Sequence, residues 1–493
     1  MKLLSDLLSN ETLSQNSALN CEKLFVSDIC DDSRRASDGC LFVAINGNKI
    51  DGKKYIDDAI SNGAKYIVFE SEEKQKIENQ HNDVFFIQTK NARKELAHIA
   101  SRFFESNLDD IVAVTGTNGK SSTVDITRQI WTHANKNAIS VGTLGIIYGD
   151  GRAQKLSGTL TCPPSIELHK IFHSLSDSAY KKFSAAIEAS SHGINQHRLD
   201  YIPFSVCAFT NFTQDHLDYH KTMEQYWQAK ERLFLELAGN NTKFVVNADD
   251  QKSENIKSIA KKRNILCMDY GYNAKDVKII DIKAEQTHQL VTVSFFGKEI
   301  SFHLPLFGKF QVYNSLCAAA NCYFTGVKIE TIIEALKKVR PINGRLELVT
   351  RFNGANIYVD YAHTPDALKN SILSLREHKP KRIITVFGCG GERDHQKRKI
   401  MGEIAEKFSD IVIVTDDNPR GESPKEIRKM IIEGCKNALE VGNRKNAIES
   451  AIDMLQDGDA LLIAGKGHEN YQQIGKDFIH FSDKEVVLNK VSK

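Results

Sequence analysis

Thr115-Gly116-Thr117-Asn118-Gly119-Lys120-Ser121-Ser122 is where residue type and spacing first imply chemistry in this 493-residue sequence. The apolar run Ile111-Val112-Ala113-Val114 before it reads as a strand, and Val124 to Trp131 after it as a helix. Between them, glycines let backbone N–H groups curl around phosphate oxygens, and the helix N-terminus adds positive partial charge. Lys120 can neutralise β- and γ-phosphate oxygens, and the Ser121 hydroxyl can ligate Mg²⁺. Gly116, Thr117, Asn118, Gly119, Lys120, Ser121 and Ser122 are therefore candidate ATP contacts. The common form of this loop would need glycine at 114, where valine stands. The shortened loop argues against a standard GTPase or a simple kinase.

Two further groups suit a divalent cation beside a triphosphate. Glu188 follows the apolar run Ala185-Ala186-Ile187, and His216 lies just after the strand ending at Phe209. A carboxylate and an imidazole at adjacent strand ends can share such a cation. His220, four residues on, could be a ligand or a structural histidine. Lys230 sits in a helix that Thr222 can cap, and by chemistry alone it is a surface lysine.

The elements that must position these groups are strand–loop–helix units. The first ~90 residues hold short apolar runs (Leu41 to Ile45, Tyr66 to Phe69) and a helix from Ile56 to Ser61, ended by Asn62-Gly63. A helical stretch, Ala92 to Phe104, leads out. The middle section adds strands at Phe183 to Ile187 and Phe204 to Phe209, which implies a parallel sheet. A turn-rich stretch near Val339 to Gly344 marks the next boundary. Beyond it, strands are legible at Ile357-Tyr358-Val359, Ile383 to Phe387, Ile411 to Val414 and Leu461 to Ala464. In an open parallel sheet their following loops share one carboxyl edge, where ligands bind. The expected architecture is α/β in three units: 1–90, 91–338 and 339–493.

Composition excludes several classes. Lys+Arg (65) nearly cancels Asp+Glu (63), so no global field favours nucleic acid or an acidic membrane. No apolar run approaches a membrane span, and Asp6 interrupts any signal-peptide core. The ten cysteines include no Cys-x-x-Cys pair, which argues against a zinc site or disulfide framework and for a reducing cytoplasm.

The loop Gly116 to Ser121 resembles that of the Mur ligase family, which includes muramyl-peptide ligases and folylpolyglutamate synthetases. The resemblance spans essentially the whole chain. It implies a UDP-sugar-binding N-terminal domain, a central ATPase domain and a Rossmann-like C-terminal domain. The segment Tyr226-x-x-Ala229-Lys230-x-x-Leu233-Phe234 resembles the one whose lysine carries a carbamate, so the metal set implied is Ser121, Glu188, His216 and carbamoylated Lys230, with Lys120 completing the catalytic group. Asp32-Ser33-Arg34 and the loop before Asp51-Gly52 resemble UDP-contacting segments, which makes Ser33, Asn48 and Lys49 candidates. Thr161-Cys162-Pro163 stands where the family has Thr-Thr-Pro, and Ser190, Gln196 and Arg198 match another substrate-contact segment. Asn314, Arg345 and Asp360 fall in segments similar to the ATP-facing parts. Gln311 stands where the family usually has Asn.

Arg393, Asp417-Asn418-Pro419-Arg420, Gly465 and Glu469 all follow C-terminal strands and resemble the amino-acid site. A guanidinium fork pairs bidentately with a carboxylate, and Glu469 can accept an ammonium. Lysine-adding relatives lack the arginine of Asp-Asn-Pro-Arg. The resemblance therefore implies ATP-driven addition of meso-diaminopimelate to the D-Glu γ-carboxylate of UDP-N-acetylmuramoyl-L-Ala-D-Glu, in peptidoglycan precursor synthesis, by a cytoplasmic monomer. The alternatives are L-lysine as the amine, a folylpolyglutamate synthetase, and a nucleotide switch that hydrolyses ATP without ligation.

Overall fold

The computed structural model describes residues 1–17, 19, 21–47, 51–71, 83–156, 161–176, 182–285 and 288–492. Its first unit is a parallel sheet in the order β1-β2-β3-β4: β1 (Ile29–Cys30), β2 (Cys40–Ala44), β3 (Ala64–Glu70) and β4 (Phe85–Thr89). Every residue of β2 is buried, as expected of a strand covered on both faces. The helix read at Ile56–Ser61 forms with those bounds. Helix α1 (Ala92–Phe103) is capped by Asn91, whose Oδ1 accepts from the Lys94 N–H at 2.9 Å. Its Ala92, Leu96 and Ile99 pack against Leu41, Val43 and Val68, so this helix closes the core of the first unit.

The central unit is built on β5 (Asp110–Thr115), followed by α2 (Lys120–His133). Around β5 lie β6 (Asn137–Gly142), β7 (Gly145–Tyr148), β8 (Ala153–Gln154), β9 (Phe183–Glu188) and β10 (Val206–Phe209), then helix α3 (Met223–Arg232), β11 (Lys243–Asn247) and β12 (Cys267–Gly271). Strands β13 (Val277–Ala284), β14 (Gln289–Phe295) and β15 (Lys298–Leu304) continue the sheet, and helix α4 (Lys309–Phe324) covers it. The eleven strands run in the order β8-β7-β6-β9-β5-β10-β11-β12-β13-β14-β15. The sheet is parallel from β6 to β13, as the helix-separated runs imply, and antiparallel at both ends. From β13 onward, the connections are too short for crossover helices, which forces antiparallel pairing. Strand β5 alternates between two cores. Val112 and Val114 meet Trp131 and Leu316 on one face, while Ile111 and Ala113 meet Phe209 and Trp227 on the other.

The third unit contains β16 (Glu347–Phe352), β17 (Ala355–Asp360), α5 (Pro365–Glu377), β18 (Ile383–Phe387), β19 (Ile411–Val414), β20 (Leu439–Glu440) and β21 (Ala460–Ala464). Their order is β16-β17-β21-β18-β19-β20, parallel except at β16. A two-stranded hairpin, β22 (Tyr471–Ile474) and β23 (Asp477–His480), follows. Thr364 caps α5 with Pro365 at its first turn, as read from sequence. The ten cysteines are free thiols, all but Cys267 buried. Among the described residues, no helix is long and apolar enough to cross a membrane.

Candidate active site

The register aligns Glu188 of β9 with Val114, and Phe209 of β10 with Thr115, so the loops after three neighbouring strands leave the sheet together. The loop 116–119 is held against β10: Thr117 N donates to Asn211 O (2.8 Å), Asn118 N to Asn211 Oδ1 (2.9 Å), and Thr210 Oγ1 to Asn118 O (2.6 Å). Gly116 (φ +150°) and Gly119 (φ +87°) are required here. A Cβ at Gly116 would collide with Thr210 Oγ1, and one at Gly119 with Asn314 Oδ1. Helix α2 starts at Lys120 without a side-chain cap, so its N-terminal N–H groups face the loop.

A cavity of about 700 Å³ opens over this loop, a volume suited to a nucleotide. It is lined by Thr117, Asn118, Gly119, Lys120, Ser121 and Ser122, by Thr161, Glu188 and His216, and by Asn314, Arg345 and Asp360. Most of the residues expected at ATP therefore come together from two units. Arg345 spans the junction: Nη2 donates to Ser121 Oγ at 2.9 Å, and the guanidinium lies 4.4 Å over the Tyr361 ring. Asn118 Nδ2 also crosses it, to Asp366 Oδ2 at 3.2 Å. Asp360 accepts from the Ser371 hydroxyl, and burial pushes its carboxyl above the usual range.

Lys230 is not a surface lysine. On α3, capped by Thr222 as expected, it is 1% exposed. Its Nζ donates to Gly116 O at 2.8 Å, and Lys120 Nζ donates to the same carbonyl at 2.9 Å and to Thr117 O at 2.8 Å. Burial, aided by the charge on Lys120, holds the Lys230 amine well below the usual lysine range. A buried neutral amine is the form that adds CO₂.

Glu188 is buried, its carboxylate accepting from Thr143 N (2.8 Å) and Thr143 Oγ1 (3.2 Å). Burial, with Lys120 and Lys230 nearby, lowers His216 to about 3 despite Asp215, so its imidazole is neutral and its nitrogen lone pair can be donated. A hydroxyl, a carboxylate and a neutral imidazole on one cavity wall form a donor set that fits a hard divalent cation with open positions for phosphate. His220 is buried against His192 and Tyr226.

The third unit's loops meet as the strand order requires: Asp360 pairs with Ala464, and Phe387 with Val414. Asn418 is central. Its Oδ1 accepts from Lys466 Nζ (3.0 Å) and Gln473 N (2.9 Å), and its Nδ2 donates to Glu469 Oε2 (2.9 Å). Lys466 Nζ also donates to Glu469 Oε2 at 2.9 Å. Asp417 is buried and Glu469 half-buried beside Lys466, and Gly465 lies against Asp417. Pro419 is buried, while Arg420 is half-buried, with Nη1 donating to Gly391 O at 2.8 Å. The Arg420 backbone is left-handed (φ +53°) and clamped by hairpin β22–β23: its N–H donates to Gln473 O (3.2 Å), and its carbonyl accepts from Gly475 N (2.8 Å). Arg393 is more exposed, with Nη1 3.9 Å from Asp218 of the central unit. None of these seven lines the 700 Å³ cavity. Tyr361, which does line it, packs its ring on His468 of the loop after β21 at 5.0 Å.

Ser33 lines a second cavity, of about 880 Å³, between the first unit and Pro164, Ile166 and Lys170. Asn48 and Lys49 lie outside the described residues. Cys162, Ser190, Gln196 and Arg198 line neither cavity and bind one another's segments. Arg198 donates to Cys162 O (2.7 Å) and Gln196 Oε1 (2.6 Å), and Ser190 caps the helix Ser191–Asn195 through Gly193 N (3.1 Å). Burial raises the Cys162 thiol to about 12.

Sequence reasoning missed several groups. Asp215 lines the cavity, and although burial opposes it, its carboxyl is held below the usual range by neighbouring groups that include the Lys397 ammonium. It stands next to His216 in sequence, which is the signal that could have found it. Thr143, which holds Glu188, and Tyr361, which carries Arg345, have no local signature.

Comparisons with known proteins agree along the chain. Residues 26–104 match the family description "Mur ligase family, catalytic domain", 114–322 "Mur ligase middle domain", and 344–467 "Mur ligase, glutamate ligase domain". The chain is 42% identical over 469 residues, 95% of its length and 94% of the relative's, to UDP-N-acetylmuramoyl-L-alanyl-D-glutamate–2,6-diaminopimelate ligase of Agrobacterium fabrum. A solved structure of a protein of that name is similar with TM-score 0.67 and 26% identity, covering 98% of this chain and 99% of that one. MurF ligase from Thermotoga maritima in complex with ADP shares the fold at TM-score 0.63 and 18% identity, covering 95% and 98%.

Proposed function

The chain belongs to the Mur ligase family, and from that premise we propose how its site works. It is an ATP-dependent ligase that adds 2,6-diaminopimelate to UDP-N-acetylmuramoyl-L-Ala-D-Glu in peptidoglycan precursor synthesis. The observation that supports this choice of amine is Arg420, half-buried and clamped by its backbone at strand ends beside the phosphate-loop cavity. Its fork suits the distal carboxylate that diaminopimelate has and lysine lacks.

In our reading the first unit, which α1 completes, binds the UDP-sugar around Ser33, the central unit binds ATP, and the third unit binds the amino acid in its meso form. The D-Glu γ-carboxylate attacks the γ-phosphorus of ATP, ADP leaves, and an acyl phosphate forms. The diaminopimelate amine then attacks the acyl carbon, and phosphate leaves from the tetrahedral species. The first step joins two anions, so it needs concentrated positive charge. Lys120 supplies part of it after leaving the carbonyls of Gly116 and Thr117, and the first N–H groups of α2 supply more. Ser121, Glu188, His216 and Lys230 as its carbamate would hold Mg²⁺, which when bound neutralises phosphate oxygens. Arg345 must release Ser121 for this and is then free to meet phosphate. Glu469 and Asp417 orient the distal ammonium. Free thiols with ATP use support a cytoplasmic setting.

The test is direct. Purified protein is incubated with UDP-N-acetylmuramoyl-L-Ala-D-Glu, ATP and either meso-diaminopimelate or L-lysine, and products are weighed by mass spectrometry. A tripeptide product with diaminopimelate is expected, and equal use of lysine would overturn the reading of Arg420.

A further inference from the structure

Far from the phosphate loop, the antiparallel end of the central sheet gathers two imidazoles and a carboxylate. Glu285 follows the last residue of β13 and His288 precedes the first of β14, with Glu285 N donating to His288 O at 2.9 Å. Ala284 pairs with Gln289, so Glu285 and His288 stand opposite each other on one face. His303 pairs with Leu290 on the next strand, β15, and side chains two apart share a face. Three adjacent strands therefore present one ligand each to the same side of the sheet. His288 Nε2 lies 2.7 Å from Glu285 Oε2, and the rings of His288 and His303 meet edge to face at 4.5 Å. One donor atom from each of the three lies within 4.8 Å of the others.

We propose that Glu285, His288 and His303 form a second metal site, for a borderline divalent cation of the Zn²⁺ class. Two nitrogens and one oxygen are the donor set such ions prefer, whereas Mg²⁺ takes oxygen. Three protein ligands leave a fourth position for water. On binding, the ion takes the place of the direct Glu285–His288 contact, and the two donors move slightly apart to make room for it. The site adjoins the C-terminal unit. His378, just after α5, donates through Nδ1–H to Glu285 O at 2.8 Å, so an ion at Glu285 stiffens a contact between the two units.

The test uses full-length protein stripped with chelator. It is titrated with Zn²⁺ in excess Mg²⁺ by calorimetry, and with Co²⁺ as an optical probe of tetrahedral nitrogen and oxygen ligation. One tight equivalent is expected, together with a rise in Tm. His303→Ala should weaken that equivalent by at least ~10-fold, the scale of losing groups around a metal, and abolish the rise in Tm. Glu285→Gln should weaken it less. His303 is exposed on an edge strand, and circular dichroism checks that its variant folds. Ligation activity of His303→Ala should stay within twofold, which separates this site from the imidazoles at the phosphate loop. Failure of the native protein to take up Zn²⁺ at micromolar concentrations, or equal affinity in His303→Ala, would overturn the proposal.

Discussion

Replacing Arg420 by lysine isolates the guanidinium fork. The backbone at 420 is left-handed (φ +53°), which costs an L-residue roughly 1–2 kcal/mol, but lysine carries the same Cβ, so the strain cancels between variant and native protein. The hairpin clamp runs through backbone atoms and is unchanged. What is lost is side-chain geometry. Among the described residues, the hydrogen bonds of the Arg420 side chain use only Nη1, to Gly391 O at 2.8 Å and Asn418 O at 3.4 Å, which leaves Nε and Nη2 for a substrate carboxylate. A lysine ammonium keeps the charge but cannot present two parallel donors. Losing one charge-assisted hydrogen bond costs about 1.5–3 kcal/mol, so kcat/KM for diaminopimelate should fall by ~10–150-fold. Arg420→Ala should lose more, because the carboxylate is left unpaired. Steady-state kinetics with each substrate varied in turn is the assay. The loss should appear against diaminopimelate, with KM for ATP and for the UDP-muramyl dipeptide within twofold of native, and the preference over lysine should narrow. A diaminopimelate KM unchanged in both variants, or a loss spread equally over all three substrates, would refute this account.

Lys230→Met should abolish ligation yet raise stability by about 1–3 kcal/mol, the scale of burying a polar group, read as a higher midpoint in urea. In the native protein the lowered Lys230 amine makes the unfolded chain bind the extra proton below pH ~10.4, so stability gained from this residue rises with pH through that window. His169, buried and lowered to about 4, works the same way at acid pH. The unfolded chain protonates near pH 6.5 and the folded one does not, so stability falls from pH ~6.5 towards 4 by at most about 3 kcal/mol, and His169→Leu should flatten that limb. Gly119→Ala places a methyl against Asn314 at φ +87° and should raise KM for ATP by more than ~10-fold with the fold intact. Small-angle scattering should register a change in radius of gyration when an ATP analogue and both other substrates bind, since Arg345 and Asn118 already couple the two units through contacts that nucleotide must replace.

The parallel core was legible because its chemistry follows from strand order. Glu188 and His216 could be placed beside the phosphate loop from sequence, since apolar runs separated by helices predict neighbouring carboxyl ends, and β9-β5-β10 is that arrangement. Strands β13 to β15 escaped notice. Their buried residues are interrupted by half-buried and exposed ones, so they lack the unbroken apolar runs that mark buried strands. Lys230 illustrates a different limit. Its helix chemistry alone reads as that of a solvated lysine, and only the resemblance of Tyr226-x-x-Ala229-Lys230-x-x-Leu233-Phe234 singled it out; its burial arises from packing of α3 beneath the loop at Gly116. Arg393, expected on a substrate carboxylate, lies 3.9 Å from Asp218, a neighbour from another unit that no local pattern points to.

The hairpin grip on position 420 reaches beyond this one arginine. Gln473 binds Asn418 and Arg420 through its main chain, and Gln472 Nε2 donates to Asp417 O at 2.6 Å, so the loop that reads the incoming amino acid takes its shape from a ribbon some fifty residues downstream. Anyone wishing to retool the enzyme for another amine would have to transplant both stretches as a matched set, because a new side chain at 420 would still leave from the old starting angle.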